Sequence, residues 1–166
     1  MVLLAAGCGG FSLGGDDLGG STDQARGGDL GGAVTASFSS LYGDYLGNCG
    51  SCHAPGAPGR TSDIESSLDF SSRTTAYTTL TSGMAAALTG PPMACNGVPF
   101  IAKGKPASSL ALAVLDETVR TSFDLPSAPS CDRLSITDET VKVGSAPSTV
   151  FLASFRAWIQ AGAIDD

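Results

Sequence analysis

Five consecutive residues offer the most distinctive chemistry in this sequence: Cys49-Gly50-Ser51-Cys52-His53. Two thiols three positions apart, on one turn at a helix end, can reach the two vinyl groups on one edge of a porphyrin. The next residue then places an imidazole beneath the ring, where a neutral histidine is a strong ligand for iron near neutral pH. Cys-x-x-Cys-His is the attachment pattern of c-type haem. The expected cofactor is one covalently attached haem c, with Cys49 and Cys52 as thioether positions and His53 as the proximal iron ligand. Other uses of these residues fit less well. A thioredoxin-like redox pair needs a βαβ context that is missing here. A zinc ribbon needs a second Cys-x-x-Cys, whereas Cys95 and Cys131 are single and far apart. A Cys49–Cys52 disulfide is usually strained at that spacing.

His53 is the only histidine of the chain. That excludes a two-histidine zinc site, a His-x-x-x-His metalloprotease and bis-histidine haem ligation within one chain. The remaining cysteines are Cys8, Cys95 and Cys131. With Cys8 assigned to lipid (below), Cys95 and Cys131 would most simply form a disulfide in an oxidising compartment. Two separate buried thiols are the alternative. Such a bridge would close a loop of about 36 residues and stabilise the fold by roughly 3–4 kcal/mol in the chain-entropy view.

The elements that must position these groups occupy only part of the 166 residues. The start, Met1-Val-Leu-Leu-Ala-Ala-Gly7-Cys8, has small residues before a cysteine, the pattern of a bacterial lipoprotein cleavage site. Cys8 would carry the acyl chains. The apolar run is shorter than the usual stretch of about 7–15 residues, and no Lys or Arg precedes it; a signal that starts further upstream would account for this, and the alternative is a frayed apolar N-terminus with a free thiol at Cys8. Residues 9–32 repeat Gly-Gly pairs with Asp16, Asp17, Asp23 and Asp29 between them. Such a stretch is costly to order and has little apolar surface to bury, so it reads as a flexible tether. The expected organisation is therefore 1–8 lipoprotein signal remnant and lipidation site, 9–32 linker, and 33–166 folded domain. No run is long or apolar enough for a transmembrane helix, which leaves the lipid as the only membrane contact. The chain would be exported and held at a membrane, in the periplasm or at the cell surface.

Within the domain, four stretches have helical character. Val34, Phe38, Leu41, Tyr42, Tyr45 and Leu46 form an amphipathic stripe that Gly47-Asn48 should close. A weaker stretch covers about 72–80. Pro106 opens a third, containing Leu110, Leu112, Val114 and Leu115. Pro147-Ser148 opens the clearest, with Val150, Phe151, Phe155, Trp158 and Ile159 inside and Gly162 at its end. Residues 136–143 can hold a short strand. The expected class is mostly α with long loops, and long loops in a small domain call for an internal scaffold. With 16 acidic against 9 basic residues and a net charge of −7, the chain does not read as a nucleic-acid binder.

Residues 33–163 resemble class I c-type cytochromes, most of all exported single-haem domains. The resemblance is carried by the helix leading into Cys49-Gly-Ser-Cys52-His53 and by the closing Arg156-Ala-Trp158-Ile159-Gln-Ala-Gly162-Ala163. Leu68-Asp-Phe-Ser-Ser before Tyr77 and Lys103-Gly-Lys-Pro106-Ala-Ser-Ser-Leu110 support it. It implies a cytochrome c-like helical fold whose first and last helices cross and pack through Phe38, Leu41, Phe155 and Trp158, with the haem in the crevice. It also implies a sixth iron ligand in an Arg-Met-Pro segment after the later cysteine, where this chain has Cys131-Asp-Arg133-Leu134-Ser135. Leu134 cannot ligate iron. Met93, in a stiff Gly-Pro-Pro-Met turn, is then the first candidate for the distal position, Met84 the second, and Lys103 and Lys105 are outside options.

The expected function is one-electron transfer, without enzymatic turnover, to redox partner proteins that present a basic docking patch. Weak peroxidase-like activity would be the only catalysis. The alternative is a five-coordinate haem domain that binds or senses CO, NO or peroxide, because Leu134 occupies the usual methionine position. A third possibility is an electron relay accompanying a larger secreted enzyme.

Overall fold

A computed structural model describes residues 36–57, 68–85, 95–123, 125–128, 131 and 146–166. Among the described residues the secondary structure is helical, and its only extended pairing is an isolated bridge between Met84 and Pro99. The mostly α expectation therefore holds.

Helix α1, Phe38–Asp44, starts where the Ser37 hydroxyl accepts the Ser40 amide at 3.0 Å, an N-cap that satisfies one of the donors a helix start leaves over. It stops earlier than the apolar stripe suggests. Tyr45 leaves the helical region at φ −152°, and the chain tightens into a 3₁₀ turn over Leu46–Ser51. Gly47 therefore lies inside that turn and does not act as a C-cap. The stripe misleads because Tyr45 and Leu46 stay in the core across the change of geometry, so their burial carries no sign of it.

Helix α2, Arg73–Ser82, opens on a reciprocal capping box between Ser72 and Thr75 and buries Ala76 and Leu80. It closes at Gly83, where a Cβ would stand 2.2 Å from the Thr79 carbonyl oxygen and 3.0 Å from the Phe100 ring. Pro106 starts only a short 3₁₀ turn, Pro106–Ser108. The helix proper, α3 (Leu110–Leu115), begins after Ser109. The Ser109 hydroxyl is fully buried; it accepts the Ala102 amide at 2.9 Å and donates to the Lys105 carbonyl at 3.1 Å. A further short helix, α4 (Glu117–Thr121), follows directly and was not legible as a separate element. Asp116 creates it by capping the Thr118 amide with one carboxylate oxygen, while the other takes Arg156 at 2.8 Å.

The last helix, α5 (Thr149–Gln160), starts at a Ser148 cap and ends at Gly162, as its sequence indicates. Gly162 has φ +102°, a conformation glycine adopts without penalty. The Ala163 amide then reaches back to the Trp158 carbonyl, and the Gly162 amide to that of Ile159, which is a Schellman closure.

α1 and α5 form the centre of the core. Phe38 meets the Trp158 ring at 5.1 Å, and Tyr45 meets Phe151 at 4.9 Å. The start of one helix thus faces the end of the other, so they run antiparallel. Phe38, Leu41, Phe155 and Trp158 are all buried, as expected. The residues after α5 bind α2 and the start of α1 back onto this pair. Tyr77 donates its hydroxyl to the Ala163 carbonyl, Arg73 pairs with Asp165, and the Asp166 carboxylate accepts the Phe38 amide at 2.7 Å. Cys95 and Cys131 are joined by a disulfide, with Cα atoms 4.6 Å apart. No helix among the described residues is long and apolar enough to cross a membrane.

Candidate functional site

The 3₁₀ turn that follows α1 sets the geometry of the cysteines. In such a turn the side chains at i and i+3 eclipse one another. Cys49 lies within it, and Cys52 follows with its amide 3.1 Å from the Cys49 carbonyl, which puts the two thiols on one side. The His53 amide donates to the same carbonyl at 2.8 Å. One oxygen therefore gathers all three functional residues. Ser51 tightens the turn by donating its hydroxyl to the Asn48 carbonyl at 2.9 Å. Both cysteines are half-buried thiols, neither in a disulfide, and His53 is half-buried with its Nδ1 atom shielded from solvent.

A second piece of chain lies across this turn. The Phe70 amide donates to the His53 carbonyl at 2.7 Å, and the Phe70 ring stands edge-on to the imidazole at a centroid distance of 5.8 Å. The Phe70 carbonyl in turn accepts the Tyr42 hydroxyl at 3.0 Å. That carbonyl passes so close to Gly50 that a Cβ there would lie 2.8 Å from it, nearer than ordinary contact allows. Gly50 is thus required by packing and not only tolerated between the cysteines. Sequence reasoning missed Tyr42, Gly50 and Phe70. The available signal was a glycine inside the Cys-x-x-Cys spacing, which marks a close backbone approach.

The donor set fits a haem. Two thiols on one side of a turn match two vinyl groups, and one adjacent imidazole matches one axial position. Among the described residues no group of three or more His, Cys, Asp or Glu side chains is arranged to hold a metal ion. A porphyrin brings four equatorial nitrogens of its own, so the protein needs to supply only the axial ones.

Of the distal candidates, Met84, Lys103 and Lys105 fall among the described residues. Met93, Leu134 and the lipidation candidate Cys8 lie outside the described residues, as does the possible strand at 136–143. Met84 is 57 % exposed and sits in the bridge to Pro99, with its neighbours Gly83 and Ala85 facing the core side. Lys103 and Lys105 are exposed. A groove of about 460 Å³ is lined by Val98, Pro99, Ala102, Lys105, Leu125 and Ala128 among others, and shares no residue with the cysteine turn.

No protein-family model matches the chain, and neither a curated protein nor a solved structure matches it.

Proposed function

We propose that the chain is an exported, cytochrome c-like haem protein that carries single electrons. Cys49 and Cys52 hold one haem c, and His53 supplies the proximal ligand. The observation that carries this reading is the grouping of two thiols, neither in a disulfide, with the chain's only imidazole around the Cys49 carbonyl. Haem, when bound, supplies a one-electron couple at its iron. Cys49 and Cys52 would hold the group as thioethers, each by addition of its S–H across one vinyl double bond, which needs no oxidant. The turn would keep the two sulfurs on one edge, and the Phe70 ring packs beside the His53 imidazole. The chain's acidic surplus suits a partner with a basic patch, and the Gly-Asp stretch after Cys8 suits a lipid-anchored domain that reaches such a partner.

A second reading, a five-coordinate haem that binds small ligands, is favoured by Leu134 in the usual methionine position and by the exposure of Met84. A visible spectrum of the purified, reduced holoprotein with and without CO separates the two. Electron transfer predicts a low-spin spectrum that CO does not change. Rapid CO uptake by a high-spin form would establish the second reading in its place. If Met93 ligates, Met93→Ala converts the first kind of spectrum into the second.

A further inference from the structure

The segment 68–70 does more than fill space beside the cysteine turn. Phe70 is 5 % exposed and is held at three points. Its carbonyl accepts Tyr42, its amide donates to the His53 carbonyl, and its ring stands against the imidazole. Tyr42 comes from α1, so the first helix is bonded to the residue that packs beside the histidine, twenty-eight positions along the chain. The fit is tight on the Gly50 side, where only a glycine admits the Phe70 carbonyl. Groups that hold a ligating histidine fix its orientation and tune the metal it binds.

We propose that Phe70, tied by Tyr42 and seated on Gly50, is a proximal clamp that fixes the backbone and ring of His53 toward a bound haem iron. Tyr42 and Gly50 are positioning residues, acting through Phe70. This rests on the haem reading above. The clamp is independent of the distal side, so it operates whether or not a methionine fills the sixth site.

The test compares the haem-loaded full chain with its Tyr42→Phe and Gly50→Ala variants. Two quantities are read: hydrogen exchange at the Phe70 amide, and the paramagnetic resonance spectrum of the ferric iron, which responds to the orientation of its axial imidazole. Tyr42→Phe removes one hydrogen bond and keeps the ring. Exchange at Phe70 should quicken by about 2- to 10-fold, the range one such bond supports. The iron spectrum should shift with it, and shift further in Gly50→Ala. Haem attached in all three proteins with an unchanged iron spectrum overturns the clamp, even if exchange quickens, because the contact is then only structural. That outcome leaves the haem reading standing. A wild-type chain that takes up no haem overturns both. Should Gly50→Ala fail to accumulate, Tyr42→Phe decides the matter alone.

Discussion

At the scale of single residues, the cysteine turn gives each functional group a physical assignment. Cys49 and Cys52 share a side because they stand three positions apart on one helical turn, and the shared acceptor at the Cys49 carbonyl fixes where His53 starts. On the proposed haem reading the two sulfurs are separate attachments. A double Cys49→Ser, Cys52→Ser variant should therefore lose its haem to extraction with acidified ketone, whereas each single variant keeps it through one thioether. The single variants should absorb at longer wavelength when reduced, since one vinyl group stays in conjugation with the ring; the extract and the reduced spectrum check both points. The identity of these residues was legible in the sequence because the spacing is local. The Tyr42, Gly50 and Phe70 contacts were not, since they join residues up to twenty-eight positions apart and no local pattern encodes that pairing.

At the scale of elements, the ends of helices were legible where one residue type performs one task. Gly162 is the only choice without strain for a left-handed closure, and the Pro-Ser entry to α5 places a cap on the Phe151 amide. The stop of α1 was hidden because an apolar stripe reports burial and not hydrogen-bond pattern. α4 was hidden because five residues are too few for any period. Two consequences of the packing are measurable by chemical denaturation. Gly83→Ala forces a methyl group into the Thr79 carbonyl and the Phe100 ring, and should destabilise by roughly 1–3 kcal/mol, the usual range for overpacking. Phe155→Ala removes a fully buried ring stacked between Phe151 and Trp158, and should cost about 3–5 kcal/mol. A wild-type midpoint in either variant would contradict the packing described for α2 or α5.

At the scale of the whole molecule, an antiparallel pair of helices, α1 and α5, carries the cysteine turn at one end and is bound to α2 by the tail at the other. The Cys95–Cys131 disulfide adds a constraint between segments 36 residues apart. A Cys95→Ala, Cys131→Ala variant should lose about 3–4 kcal/mol of unfolding free energy in the chain-entropy view. Emission from Trp158, the only tryptophan, reports the transition, because the ring is buried in the folded core and unfolding exposes it to water. The helical class was legible from apolar spacing, and the α1–α5 pairing from the resemblance to c-type cytochromes. The split between α3 and α4 was not, because it depends on Asp116 serving α4 and Arg156 at once.

The most direct test of the central claim weighs and illuminates the chain after production in a host that attaches haem. The protein should be coloured, heavier than its polypeptide by one haem, and without reactive thiols at Cys49 and Cys52. A colourless protein of polypeptide mass, with both thiols open to alkylation, would contradict the account.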